Sequence, residues 1–285
     1  MIVEASGFGV GTAAILLILL WGYRSGRNIL PEDCPRPGRK RHGRPTPMAG
    51  LAPALAATLW LVLADRPLLA GAVLLAVATG FADDLKKRHH DGIAWQLKAI
   101  GLIAASGLLV HGAIGLDSLP WQTATGLVLA TFVCINATNF LDNMHGVATA
   151  VAGTGLVMAA VTGLEVAIPL AAIWLAFLPF NWPGGRAFLG DAGAYGLGAS
   201  VATAALLSSE GDPLLALAPT AVLFLDFTQV VCARLYLGYA PWIGDRRHLS
   251  HLIHGQGVPL LLVAPTLALV AVLFGVAIHA LAPAG

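Results

Sequence analysis

Apolar runs of 16–24 residues alternate with short polar stretches along most of the chain. A helix that crosses a bilayer needs about 20 apolar residues, with a range of about 17–25. Ten segments meet or approach that length: 7–23, 48–64, 67–82, 94–113, 120–137, 147–163, 166–182, 192–208, 214–236 and 258–281. The breaks between them carry turn and breaker residues, such as Asp65-Arg66-Pro67 and Asp117 through Pro120. The pattern predicts an all-α, polytopic membrane protein of about ten transmembrane helices, forming one integral-membrane domain over residues 1–285. Segment interiors are rich in Ala, Gly and Leu, and small residues let membrane helices pack closely.

Composition agrees with this reading. Hydrophobic residues make up 57% of the chain and charged residues 11%, against about 25% charged in soluble domains. Mean hydropathy is +0.78. Glu4 and the lack of basic residues before the first apolar run mark 7–23 as a retained helix rather than a cleaved signal. Cys34, Cys134 and Cys232 have no metal-ligand spacing. The basic residues sit among carboxylates without interleaved aromatics, which argues against a nucleic-acid partner.

With ten helices, every Lys and Arg except Arg66 falls on one side of the membrane. The positive-inside bias makes that side cytoplasmic and places both termini outside. Most of the polar chemistry lies in five islands, all on the cytoplasmic side: DCPRPGRKRHGRPTPMAG (33–50), FADDLKKRHHDG (81–92), NATNFLDNMHG (136–146), FNWPGGRAFLGDAG (180–193) and GDRRHLSHLIHGQG (244–257). Ionisable groups are costly near lipid, so such islands are candidate functional sites. The expectation is one active site at the membrane surface, built from cytoplasmic loops.

The islands supply the parts for phosphoryl transfer. Asp83, Asp84, Asp142 and Asp191 with few thiols suit a hard cation such as Mg²⁺. Lys40, Lys87, Lys98, Arg246 and Arg247 suit phosphate oxygens. Asp83 and Asp84 are adjacent, and neighbours on a helix point different ways, so the two should differ in role. A helix-end cap is the alternative for that pair. Asn136, Asn139 and Asp142 are spaced by three and share a helical face. That stripe suits a nucleotide or phosphate, or plain interhelical hydrogen bonding. Asp191 lies between Gly190 and Gly193 at the start of an apolar segment, as a metal ligand or a simple N-cap. His248, His251 and His254 recur every three residues beside Arg246 and Arg247. A cationic clamp for a diphosphate fits better than zinc, because no Cys accompanies them. Asp226 is the one expected intramembrane carboxylate, read as a structural partner of Arg234 two turns on.

Taken in order, the islands resemble the polyprenyl-phosphate N-acetylhexosamine-1-phosphate transferases, glycosyltransferase family 4. The matching strings are RKRH with PTPMAG, GFADD, NATNFLDNMHG, FLGDAG and GDRRHLSH. The resemblance covers roughly residues 30–257. It implies transfer of a sugar-1-phosphate from a UDP-sugar to a polyprenyl phosphate at the cytoplasmic face, with release of UMP and a requirement for Mg²⁺. It implies Asp191 as the metal ligand, and Asp83 and Asp84 as residues that orient or deprotonate the lipid phosphate. Asn136, Asn139 and Asp142 would line the nucleotide and metal region. Lys87, Lys98, His248 and His251 would contact phosphates or the sugar, with Lys40 and His42 as a looser match. The implied location is a bacterial cytoplasmic membrane, and a homodimer is a candidate assembly. One position departs: where the family has a second Asp, this chain has His145, an imidazole able to accept a proton near pH 7. Ala49 replaces a usual Gly, and the His pattern differs from the muramoyl-pentapeptide branch, which favours a GlcNAc-type or related polysaccharide branch. Two alternatives stand beside an active enzyme. One is a degenerate member that binds lipid phosphate or nucleotide without turnover; the other is a transporter, which would place its charges near the midplane.

Overall fold

A computed structural model describes residues 2–27, 30–33, 46–87, 92–209, 213–241 and 244–281. Lys40 and His42 lie outside the described residues. Within them the chain is helical almost throughout. The helices are α1 (Ile2–Arg24), α2 (Leu51–Leu63), α3 (Pro67–Lys87), α4 (Trp95–Ala113), α5 (Trp121–Leu141) and α6 (Val147–Val161). They continue as α7 (Ala167–Asn181), α8 (Gly190–Ser208), α9 (Pro213–Leu217), α10 (Ala221–Tyr236), α11 (Leu249–Gly255) and α12 (Leu260–Leu281).

Each expected apolar segment is helical, with one change. The run 214–236 is split into α9 and α10 by a turn at Ala218–Thr220 that contains Pro219. Proline lacks the N–H that a helix interior uses, so the chain restarts at Ala221. By length and composition, α1, α3, α4, α5 and α12 can each cross a membrane, while α2, α6 and α7 are apolar but shorter. The chain is therefore a helical membrane protein.

The bundle is organised around α8. Every residue from Ala192 to Leu206 is buried, and α3, α5, α2 and α6 pack around it. Its run of Gly, Ala and Ser makes this close approach feasible, since lipid tails offer helices no hydrophobic drive to associate. Gly80 of α3 lies directly on the start of α8: a Cβ there would come within 2.5 Å of the Asp191 carbonyl. The buried Trp174 indole of α7 donates to Ser200 Oγ of α8 at 3.0 Å, satisfying a polar atom that lipid could not. α1 packs on α7, and α12 packs on α6.

A short antiparallel ladder, β1 (Glu32–Asp33) with β2 (Thr46–Pro47), closes the end of the bundle where α8 begins. The strand continues into the loop before α8: Phe188 N–H donates to Pro47 O and Ala49 N–H to Phe188 O, both at 2.9 Å. Residues 46–50 thereby brace the segment that presents Asp191.

Candidate active site

The C-terminal end of α3, the first turn of α4, the end of α5 and the start of α8 meet at one end of the bundle. Two lysines and two aspartates form a closed ring there. Lys87 Nζ lies 2.8 Å from both Asp83 Oδ2 and Asp191 Oδ1. Lys98 Nζ lies 2.7 Å from Asp83 Oδ2 and 3.4 Å from Asp191 Oδ2. Asn139 Nδ2 approaches Asp191 Oδ1 at 3.4 Å. The Asp83 side chain is fully buried, whereas Asp191 keeps 14% exposure and Lys87 and Lys98 keep 38% and 24%. The lysines and Asp191 thus form the accessible rim, and Asp83 forms the floor. Asp83 Oδ1 also accepts the Ile93 N–H at 2.7 Å, tying the α3–α4 loop to the site.

Asp84 points elsewhere, as its neighbouring position on the helix dictates. Its two oxygens accept the backbone N–H groups of Asp191 and Ala192, each at 2.9 Å. These are first-turn donors of α8, which has no side-chain cap of its own. Asp84 is thus an N-cap supplied by another helix, with its carboxyl oxygens set against the positive end of α8. Gly190 permits this: its φ is +67°, and a Cβ there would lie 2.7 Å from Asp84 Oδ2. The two neighbours thus differ in their contacts: Asp83 meets the lysines, and Asp84 caps α8 rather than the end of its own helix.

The α5–α6 connection carries the next group of expected residues. Asn139 faces Asp191, but Asn136 turns back and donates to Phe132 O at 2.8 Å. Asp142 caps the end of α5, its N–H reaching Asn139 O at 3.3 Å. His145 packs its ring on Phe188, with centroids 5.4 Å apart and planes inclined by 34°. Gly185 lies against the same imidazole: a Cβ there would be 2.6 Å from the ring. Asn181 fixes the geometry of this loop. Its side chain accepts from Gly146 N–H and Thr149 Oγ1 and donates to Ala187 O, at 3.0–3.1 Å. Asn181 and Phe188 were not singled out from the sequence. The one available signal for Asn181 is a polar side chain at the end of an otherwise apolar helix.

The last island is organised by buried charge. His248 Nδ1 lies 2.7 Å from Asp226 Oδ2, and the Leu249 N–H donates to Asp226 Oδ1 at 2.6 Å. Arg234 Nε lies 3.1 Å from Asp245 Oδ2, and its guanidinium also donates to Pro241 O. This corrects the expected Asp226–Arg234 pair: each takes its partner from the 244–249 segment instead. Eight residues along a helix are about 12 Å apart, too far for direct contact when a loop can fold between them. Arg247 is engaged locally, 2.6 Å from Asp245 and over the Tyr239 ring. Burial opposes ionisation of Asp245, but hydrogen bonds from Arg234 and Arg247 hold its carboxyl well below the usual range. Arg246 is exposed, and His251 is half-buried. Burial, then the neighbouring His248 and Arg246, lowers the His251 pKa from its ordinary value and so disfavours the charged imidazolium. Ser250 Oγ donates to Asn143 Oδ1, joining this segment to the α5–α6 connection. The described parts of all five islands therefore meet at one end of the bundle.

Comparison with known proteins agrees with the geometry. The family model described as glycosyl transferase family 4 matches residues 67–209, from the start of α3 to the end of α8. Several relatives are phospho-N-acetylmuramoyl-pentapeptide-transferases. The protein of Synechococcus sp. (strain JA-3-3Ab) is 32% identical over 279 residues, covering 88% of this chain and 78% of its own. That of Synechococcus elongatus is 33% identical over 251 residues, covering 72% and 66%. That of Clostridium beijerinckii is 29% identical over 232 residues, covering 70% and 71%. With its lysine–aspartate ring inside the matched region, this chain belongs to glycosyl transferase family 4.

Proposed function

We propose that the chain transfers a sugar-1-phosphate, an N-acetylhexosamine derivative, from a UDP-sugar to a polyprenyl phosphate at the cytoplasmic face of a bacterial membrane. The observation that carries this reading is the ring of Lys87, Lys98, Asp83 and Asp191 at the end of an apolar bundle. Ammonium groups at the end of an apolar bundle suit phosphates, and that position supports a meeting of a lipid headgroup with a soluble nucleotide. The concentration of Lys and Arg on that side supports the cytoplasmic placement. The names of the relatives support a phospho-sugar donor.

In the transfer, an oxygen of the lipid phosphate forms a bond to the β-phosphorus of the UDP-sugar. The bond from that phosphorus to the bridging oxygen breaks, and UMP leaves with that oxygen. A phosphate monoester has a second pKa of about 6, so the nucleophile is largely ionised at pH 7. The reaction then needs positioning and charge neutralisation more than a strong base. Lys87 and Lys98 supply the positive charge. Asp83 holds both ammonium groups in place from beneath, and Asp84 holds the peptide of Asp191. We place the planar base of the nucleotide beside the His145 ring, which Phe188 supports from its other side.

The donor set fits Mg²⁺. Among the described residues no group of three or more His, Cys, Asp or Glu could cage a metal. Asp191 beside Asn139 offers oxygen ligands without thiolate, the pattern for an ion held by one carboxylate and completed by water and phosphate oxygens. Asp191 would hold it, beside Asn139. Bound there, Mg²⁺ would neutralise charge on the diphosphate. The test is a screen of UDP-sugars with undecaprenyl phosphate, purified protein and Mg²⁺, following UMP. Lipid-dependent UMP release from at least one donor is expected. No release from any donor tried would overturn the proposal.

A further inference from the structure

Asn181, the last residue of α7, is 1% exposed and joins two loops that are far apart in sequence. Its Oδ1 accepts the Gly146 N–H at 3.0 Å and the Thr149 hydroxyl at 3.1 Å. Its Nδ2 donates to Ala187 O at 3.0 Å. The preceding residue serves the same junction: Phe180 O accepts the N–H groups of Arg186 and Ala187, at 2.9 and 3.0 Å. Gly146 permits the close approach, since its φ is +75° and a Cβ there would clash with the Trp182 side chain. An amide is the side chain that suits this place, because one loop presents donors and the other an acceptor.

The two peptide groups that Asn181 holds flank the ring pair. The Gly146 N–H belongs to the peptide that joins His145 to Gly146, and Ala187 O to the one that joins Ala187 to Phe188. Both peptides are buried, so without Asn181 a donor on one and an acceptor on the other lose their partner. The loops must then rearrange to satisfy them, and each ring moves with its loop. His145 itself is placed by packing on Phe188 and Gly185, residues of the other loop.

We infer that Asn181 is a positioning residue for nucleotide binding: it sets His145 against Phe188, and so the affinity for a planar base, without touching the base. The inference rests on the proposed function, in which the base lies beside His145. It assigns to one buried amide the alignment of two connections, α5–α6 and α7–α8, that approach the site from different sides of the bundle.

The test follows labelled UDP by equilibrium dialysis with Mg²⁺ on the full detergent-solubilised chain, beside kcat from UMP release with a donor that the screen identifies. Asn181→Ala should weaken UDP binding about 2- to 12-fold, as loss of a ring contact would, and lower kcat by less. In His145→Ala protein the same substitution should cost little further affinity, because Asn181 acts through the ring. Thr149→Val removes one of the three hydrogen bonds and should shift affinity in the same direction by a smaller factor. It carries the test should Asn181→Ala not fold. UDP affinity equal to wild type in both variants, or a loss that simply adds to that of His145→Ala, would overturn the inference while leaving the proposed function standing. Failure of the wild type to bind UDP and to release UMP from any donor would overturn both.

Discussion

Asp84→Asn tests the assignment of the two adjacent aspartates most sharply. The wild-type carboxylate accepts two backbone N–H groups at 2.9 Å with its side chain buried. Asparagine keeps one acceptor and turns an NH₂ toward the second N–H. A hydrogen bond to a charged group contributes about 1.5–3 kcal/mol, and the lost one leaves a buried donor unpaired. Removing the negative charge from a helix N-terminus takes a further ~0.3–1 kcal/mol. The expected loss is about 2–4 kcal/mol of unfolding free energy, with little solvent screening to reduce it. Unfolding of the purified protein by titration from dodecyl maltoside into sodium dodecyl sulfate, followed by tryptophan fluorescence, measures it. Turnover should fall as well, because the Asp191 peptide is no longer held. A variant within about 0.5 kcal/mol of wild type would refute the capping role, since ordinary surface changes fall in that range.

Other consequences follow from the same contacts. Gly80→Ala would drive a methyl group into the Asp191 carbonyl. It should destabilise by about 1–3 kcal/mol through overpacking, and separate α3 from α8 enough to lower turnover in the UMP assay. His145→Ala removes the proposed stacking of the imidazole on the nucleotide base, about 0.5–1.5 kcal/mol, so the KM for the UDP-sugar should rise about 2- to 12-fold with a smaller change in kcat. A fall in kcat of a hundredfold with KM unchanged would instead make the imidazole a proton carrier. Asp245→Asn should free the last loop and speed amide exchange over residues 245–252 at pH 7, read by mass spectrometry; unchanged exchange would sink the anchoring role. Asp245 has a folded pKa beneath its unfolded value of about 3.9, so its contribution is complete above that value. It declines progressively as pH falls below about 4 and is gone only beneath the much lower folded pKa, so the wild-type loop should become steadily more open to pepsin as pH is lowered from about 4 toward 2.

The helices were legible because each is a long apolar run, although among the described residues only α1, α3, α4, α5 and α12 combine spanning length with sufficient hydropathy. The same pattern hid the break between α9 and α10. Both pieces are apolar, so the run 214–236 reads as continuous, and only Pro219 marks the restart. That Asp83 and Asp84 differ followed from helical geometry alone. The partner of Asp84 did not, because a cap supplied by another helix depends on a close approach that Gly80 and Gly190 permit. The Asp226–Arg234 pairing failed for a related reason. Spacing along one helix says which residues share a face, not which loop folds over it, and the partners came from residues 245 and 248. Family resemblance named Asn136 and Asn139 together, yet only Asn139 turns toward Asp191.

The central claim is that the sugar moves with its phosphate. It is tested by supplying a UDP-sugar labelled with ³²P at the β-phosphate, together with undecaprenyl phosphate and Mg²⁺. The label should pass to the lipid, with unlabelled UMP released in equal amount, and Asp191→Asn should abolish the transfer. Label retained in soluble UDP while the sugar reaches the lipid would mean ordinary glycosyl transfer and would contradict the account.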